Sequence, residues 1–233
     1  METLRKNIIA REVHITLLCM FDNVIPKDII NVILQFAGLY EKSKNITFDS
    51  QIKKARFLLR PDDTMSIGAI NVLNDFINVL IAKFVAKSMT LTEYMRQNTI
   101  SSRTIQSVVR LLTSGKYERK LVSQGTMIVT KYNANTSERS NEEKRQIKRL
   151  NIANIIGTFI GPARVEKAIR SNLDNDYFQF KISKGASIYL TAVINQVVGD
   201  IIKMSGNDIC TNNIINTVKN NYDLKSLYHE LFI

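Results

Sequence analysis

The chain has no tryptophan, three prolines, nine glycines, two cysteines and two histidines in 233 residues. So few helix breakers argue for long helices and few turns. Cys19 and Cys210 lie far apart, so neither a disulfide framework nor a zinc site is expected. That usage points to a reducing, intracellular compartment. His14 and His229 lack companions for a metal or catalytic site and read as structural or solvated residues. No Ser/His/Asp set or paired-carboxylate cleft stands out, and "SGKYERK" has neither a preceding strand nor P-loop spacing. The expectation is a chain with no enzymatic activity, no cofactor, no metal and no small-molecule substrate. No apolar run reaches about 18 residues without polar interruption. Arg11, Glu12, Asp22, Lys27 and Asp28 break the N-terminal apolar clusters, so neither a signal peptide nor a membrane span is expected.

What the chain has in excess is positive charge. Lys and Arg number 32 against 21 Asp and Glu, a net +11 with His neutral. A surplus of that size favours a polyanionic partner, either nucleic acid or an anionic membrane surface. The remaining composition, 45% hydrophobic and 23% charged, is that of a globular protein with a real core.

Residues 1–45 read as folded and helical. Behind Pro26, "PKDIINVILQFAGLY" puts Ile29, Ile30, Ile33, Leu34 and Phe36 at helical spacing. "EKSKNITFD" is a polar connector. A short helix, "SQIKKARFLL", ends before Arg60 and Pro61, and "PDDTM" is a turn. A long helix is predicted over about Ser66 to Thr92. Its apolar positions, Ile70, Leu73, Phe76, Ile77, Leu80, Ile81 and Phe84 among them, cover much of its girth, so it needs partners on two sides. The loop and short helix "NTISSRTIQSVVRLL" follow, then "GKYERKLVSQGTMIVTKY" as a further helix.

Residues 133–149 are polar and charge-mixed, the best linker in the chain. Lys144, Arg145, Lys148 and Arg149 there belong to a solvated linker or lie along DNA. Beyond it the pattern recurs. "GPARVEKAIRSN" is short, "ASIYLTAVINQVVGDIIKMSG" is long and "NNIINTVKNN" is short again, with loops between and "YDLKSLYHELFI" last. Short–long–short helices occur twice, a duplication of architecture rather than of residues. Two such units would bury each other's apolar faces. The first loop of each would then lie beside the second loop of the other. Paired loops next to helix N-termini present backbone N–H groups, hydroxyls and basic side chains to an anion. In "NTISSRTIQ", Thr99 and Ser101 serve as helix caps, phosphate contacts or both.

"NVLNDFINVLIAKFVAKSMTLTEYMRQNTISSRTIQSVVRLL" followed by "GKYERKLVSQGTMIVTKY" resembles core histone 2B over roughly residues 48–134. The segments "TIxSRxIQxxVRLL" and "VSxGTxxVTKY" carry that likeness. The second unit is similar to core histone 2A over roughly residues 159–233, through "ARVEKAIR", "KGASIYLTAVI" and "SGN". Order and fusion resemble the histone doublets of giant DNA viruses. The resemblance implies an all-α chain with two histone folds forming an intramolecular handshake pseudo-dimer. Its divisions would be an N-terminal helical extension (1–46), a 2B-like fold (47–134), a linker (135–151) and a 2A-like fold (152–233).

The implied function is structural packaging of double-stranded DNA with a histone 4–histone 3 doublet, in a viral particle, a viral factory or a host nucleus. Contacts would fall on phosphates and the minor groove, with little base reading. Position by position, the resemblance gives DNA contacts to Arg164, Lys167 and Arg170 on the first helix of the 2A-like unit and to Lys181 in its first loop. It also gives them to Arg96, Asn98, Thr99 and Ser101 in the second loop of the 2B-like unit. Arg60 and Lys53 or Lys54 are weaker candidates on the first helix of that unit.

Several positions depart from the family. Gln97 stands where an arginine is usual. The second long helix is about two turns short. Asn207 and Asp208 occupy a loop that normally holds an arginine. Of the family's acidic patch, Lys116, Gln124, Asn195, Lys203, Asn221 and Tyr222 replace acids, while Asp200 and Asp223 remain. These features predict a looser particle than the eukaryotic nucleosome and few patch-docking partners. "LFI" at the end could form a short strand against histone 4. The N-terminal segment reads as an extra helical cap, with "VIPKDIINVILQF" faintly similar to an F-box opening. A second reading of the whole is a histone-fold regulator or adaptor that does not build nucleosomes.

Overall fold

A computed structural model of the protein describes residues 46–137, 152–173, 180–206 and 208–228. The expectations placed on residues 1–45, on the linker cations, on Asn207, on His14 and His229 and on "LFI" lie outside the described residues. The protein is all-α: the described residues form nine helices and a two-stranded ladder only two residues long per strand.

Helix α1, Asp49–Leu59, buries Ile52 and Ala55 and stops where Pro61 forbids its continuation. Helix α2, Ile67–Tyr94, starts at Ser66, whose hydroxyl accepts the Ala69 N–H at 3.1 Å. It runs 28 residues and is buried on nearly every side from Ala69 to Val85. Strand β1, Thr99–Ile100, precedes α3, Ser102–Leu112, which turns Ile105, Val108 and Val109 inward. Helix α4, Gly115–Ser137, closes the first unit and runs into the stretch expected to be linker.

Helix α5, Ile152–Ile156, is a short element the sequence pattern did not announce. Its Ile156 packs with Ile128 of α4 and with Ile188 and Ala192 of α7. Helix α6, Pro162–Leu173, opens on its proline, which needs no N–H partner there. Strand β2, Lys181–Ile182, leads into α7, Lys184–Met204, capped by Ser183. Helices α8, Thr211–Asn220, and α9, Tyr222–Leu227, complete the chain's described part. With 21 residues against 28, α7 is about two turns shorter than α2.

The two units are joined at both ends of their long helices. Strands β1 and β2 pair in parallel, Thr99 opposite Lys181 and Ile100 opposite Ile182. The Lys181 N–H donates to the Asn98 carbonyl at 2.8 Å, and the Ser183 N–H donates to Ile100 at 3.0 Å. At the other end Met65 bridges to Ile209, with Ser66 N–H donating to Ile209 at 3.1 Å. The loop after α2 thus meets the loop before α7, and the loop before α2 meets the loop after α7. The long helices therefore run in opposite senses through one core. This is the pairing of first and second loops that the duplicated pattern predicts.

That core joins Leu73, Phe76, Leu80 and Phe84 of α2 to Val193, Ile194, Val197 and Ile201 of α7, all fully buried. Each such side chain contributes about 1.5–3 kcal/mol on leaving water. Both α2 and α7 are long and apolar enough to cross a membrane, yet 89% and 83% of their apolar windows are buried inside the fold. Their hydrophobicity is accounted for by the helices around them. The end of α9 reaches α2. Tyr228 stacks on Phe76 with ring centroids 4.9 Å apart, and the buried Lys83 donates to the Leu227 carbonyl at 3.0 Å.

Candidate nucleic-acid interface

The β1–β2 ladder organises one end of the molecule. Two helices, α3 and α7, begin there, each capped by a serine. Ser101 Oγ accepts the Thr104 N–H at 3.2 Å, and Thr104 Oγ1 accepts the Ser101 N–H at 3.3 Å, a reciprocal capping box. The first turns touch: a Cβ added at Gly185 would lie 3.5 Å from Ser102 Cβ. Ser101 is half-buried and holds its helix, while Asn98 and Thr99 stand exposed. Lys181, opposite Thr99, is exposed as well.

Arg96 completes this end in an unusual backbone state. Its φ is +54°, the one positive value among the described residues other than glycine. The Gln97 N–H donates to the Thr92 carbonyl and the Arg96 N–H to Glu93, both at 2.9 Å, which terminates α2 in a Schellman turn. Glycine is favoured at such a position because a side chain there costs about 1–2 kcal/mol. A charged side chain is held in solvent at that cost, beside Asn98 and Thr99.

The same end holds two further exposed cations the sequence reading did not select as site residues, Arg103 and Lys184. Both sit in first helical turns, one or two residues past a capping serine, which is the signal that marks them. Lys184 Nζ lies 5.9 Å from the Tyr132 ring centre, a cation–π distance.

The other sequence-chosen residues fall elsewhere. Lys167 is exposed on α6, and Arg170, one turn on, pairs with Glu166 at 2.7 Å. Arg164 of α6 is half-buried and reaches across to the opposite unit, donating to the Thr47 carbonyl and, at 3.5 Å, to Gln51 Oε1. Lys53 and Lys54 are exposed on α1. Arg60 is 18% exposed. Its guanidinium pairs with Asp63 and donates to the carbonyls of Gly206 and, at 3.4 Å, Ile202, at the C-terminus of α7. These are carbonyls of the opposite unit, left without intrahelical donors where α7 ends.

The face formed by α4, α7 and α9 has little free negative charge. Lys120 Nζ lies 2.8 Å from both oxygens of Asp200, and Gln196 donates to one of them at 2.8 Å. Asn195, where the resemblance has an acid, accepts the N–H groups of Phe159 and Ile160 at 3.0 and 3.3 Å. Burial pushes the Tyr117 and Tyr228 phenols well above their ordinary range, with the Asp200 carboxylate adding to the effect at Tyr117. An open groove of about 450 Å³ beside the end of α7 is lined by Met204, Asn213, Asn216 and Asn220 among others. Its described lining is built of amide, hydroxyl, thioether and backbone groups.

The sequence matches none of the family models of known proteins.

Proposed function

We propose that the chain is two histone folds, 2B-like and then 2A-like, closed on each other as an intramolecular handshake, and that it packages double-stranded DNA. The observation that carries this reading is the β1–β2 ladder with its surroundings. Two capped helix N-termini converge on a pair of parallel strands. Arg96, Lys181, Arg103 and Lys184 are exposed around them. Such an arrangement presents N–H groups and cations to a phosphate. The net charge of +11 supports it, as does the bridge at the far end, which gives the two units a common pseudo-symmetric frame.

A histone 4–histone 3 doublet is the partner that would complete a nucleosome-like particle around this unit. DNA would be held through its backbone and minor groove, and the wrapped length would follow from the whole assembly.

The test is a DNA-binding titration across salt on duplexes of unrelated sequence. Affinity is expected to fall steeply with salt and to be alike for all duplexes. Lys181→Gln should weaken all of them equally and lower the salt slope by about one. A sequence preference that changes with this substitution contradicts backbone binding. No DNA binding, with capture of a protein partner only, favours the adaptor reading.

A further inference from the structure

We infer that the chain grips DNA at the β1–β2 end and releases it at the Met65–Ile209 end. The inference rests on the DNA-packaging reading and concerns how the two paired-loop ends differ. At the β1–β2 end, Arg96, Arg103, Lys181 and Lys184 are exposed, and no described residue forms an ion pair with any of them. No acid falls within the described loop segments 95–101 and 180–183; Glu93 is exposed in the last turn of α2, and Asp174 and Asp176 precede β2 in sequence, outside the described residues.

The Met65–Ile209 end is built from the same backbone pairing with the opposite chemistry. Asp62 and Asp208 are exposed, and Asp63 is half-buried. Both arginines of this end are engaged internally: Arg56 donates to the Pro61 and Asp63 carbonyls, each at 3.0 Å, and Arg60 is held by its own turn and the opposite unit. Asp63 neutralises Arg60, and the carbonyls of Ile202 and Gly206 take its Nη1 donor. Withdrawing that guanidinium toward DNA would leave the end of α7 and the Asp63 carboxylate without their partner. A buried or half-buried group stripped of its hydrogen bond is costly, so the arginine stays where it is. A phosphate arriving here would meet two exposed carboxylates against one exposed cation in the last turn of α7, Lys203. Like charges at close range repel, and DNA following the surface from β1–β2 would lift away before it reached Thr64.

The consequence is a polar unit. Arg60 acts as a clamp between the two halves of the chain, and the end it clamps is an exit for DNA. The footprint would be truncated on one side only, rather than loosened uniformly.

The test places a benzophenone photo-crosslinking residue in the full chain at Thr99 or at Thr64, both exposed. Each variant is irradiated with a mixed-sequence duplex at a salt concentration where the unmodified chain binds. The Thr99 variant is expected to crosslink at least ten-fold more than the Thr64 variant. In parallel, Asp208→Asn should raise Thr64 crosslinking several-fold, because it removes one of the two exposed charges that turn DNA away. Comparable crosslinking at both sites in the unmodified background, crosslinking at neither, or an Asp208→Asn chain whose Thr64 crosslinking is unchanged overturns the one-ended grip. The first and last of these leave DNA packaging standing. A chain that binds no duplex at all removes the packaging reading, and this inference with it.

Discussion

Lys120 on α4 and Asp200 on α7 form a bidentate contact, with the ammonium 2.8 Å from each carboxylate oxygen. The acid is 10% exposed and the lysine 45%, so the pair is asymmetric in its need for its partner. Asp200 depends on Lys120 for its charge to be tolerated, whereas Lys120 could be hydrated. Removing the lysine should therefore cost more than removing the acid. Lys120→Ala is expected to destabilise the chain by about 1–3 kcal/mol, and Asp200→Asn by less. Denaturant titration of the two variants checks the order, and equal effects would show that Asp200 is effectively solvated.

Arg96 separates stability from binding. Replacing it by glycine removes the left-handed strain at the end of α2 and should stabilise the fold by up to about 1 kcal/mol. The same change deletes one exposed cation beside β1 and should lower the salt slope of DNA binding by about one. Opposite signs in the two assays are the expected result. A loss of both stability and binding would mean that the Arg96 side chain supports the fold.

Much of this architecture is legible in the sequence. The apolar girth of α2 predicts a central helix, and the short–long–short repeat predicts which loops meet. What is not legible depends on tertiary placement. Two-residue strands are too short to show a period, so β1 and β2 read only as loops. Helix α5 has five residues beside a polar linker and gives no amphipathic signal. Helix α4 continues to Ser137 through a polar stretch with no apolar period, where Asn135 donates to the Lys131 carbonyl at 2.8 Å. The roles of Arg60 and Arg164 are hidden for a different reason. Their acceptors include main-chain carbonyls of the opposite unit, more than 100 residues away in sequence, and no residue pattern reports a carbonyl.

At Gly125, α4 lies directly against the Tyr189 ring of α7. A Cβ there would overlap that ring, whose hydroxyl donates to the Val122 carbonyl at 3.2 Å. The ring is buried and held at its tip, so Gly125→Ala should cost about 1–3 kcal/mol by overpacking. Adding Tyr189→Leu should recover part of that loss. Additive losses in the double variant would show that the ring moves aside at no cost.

Alkaline pH should loosen the core. The buried Tyr117 and Tyr228 keep their protons above pH 10, where the same phenols ionise in the unfolded chain. Above that pH the unfolded state binds fewer protons than the folded state, so stability falls as pH rises. Each tyrosine contributes a slope of about 1.4 kcal/mol per pH unit. Tyr228→Phe should flatten the slope by about half of one such step, as read from denaturation midpoints between pH 9 and 11.

Packaging of DNA by this chain, as half of a histone-like particle, is proposed and can be tested by reconstitution. The chain is mixed with a histone 4–histone 3 doublet and long duplex DNA, and the product is digested with micrococcal nuclease. Discrete protected fragments at a regular spacing, shorter than those of the eukaryotic nucleosome, are expected. A continuous smear, no different from DNA digested with the 4–3 doublet alone, would contradict the proposal.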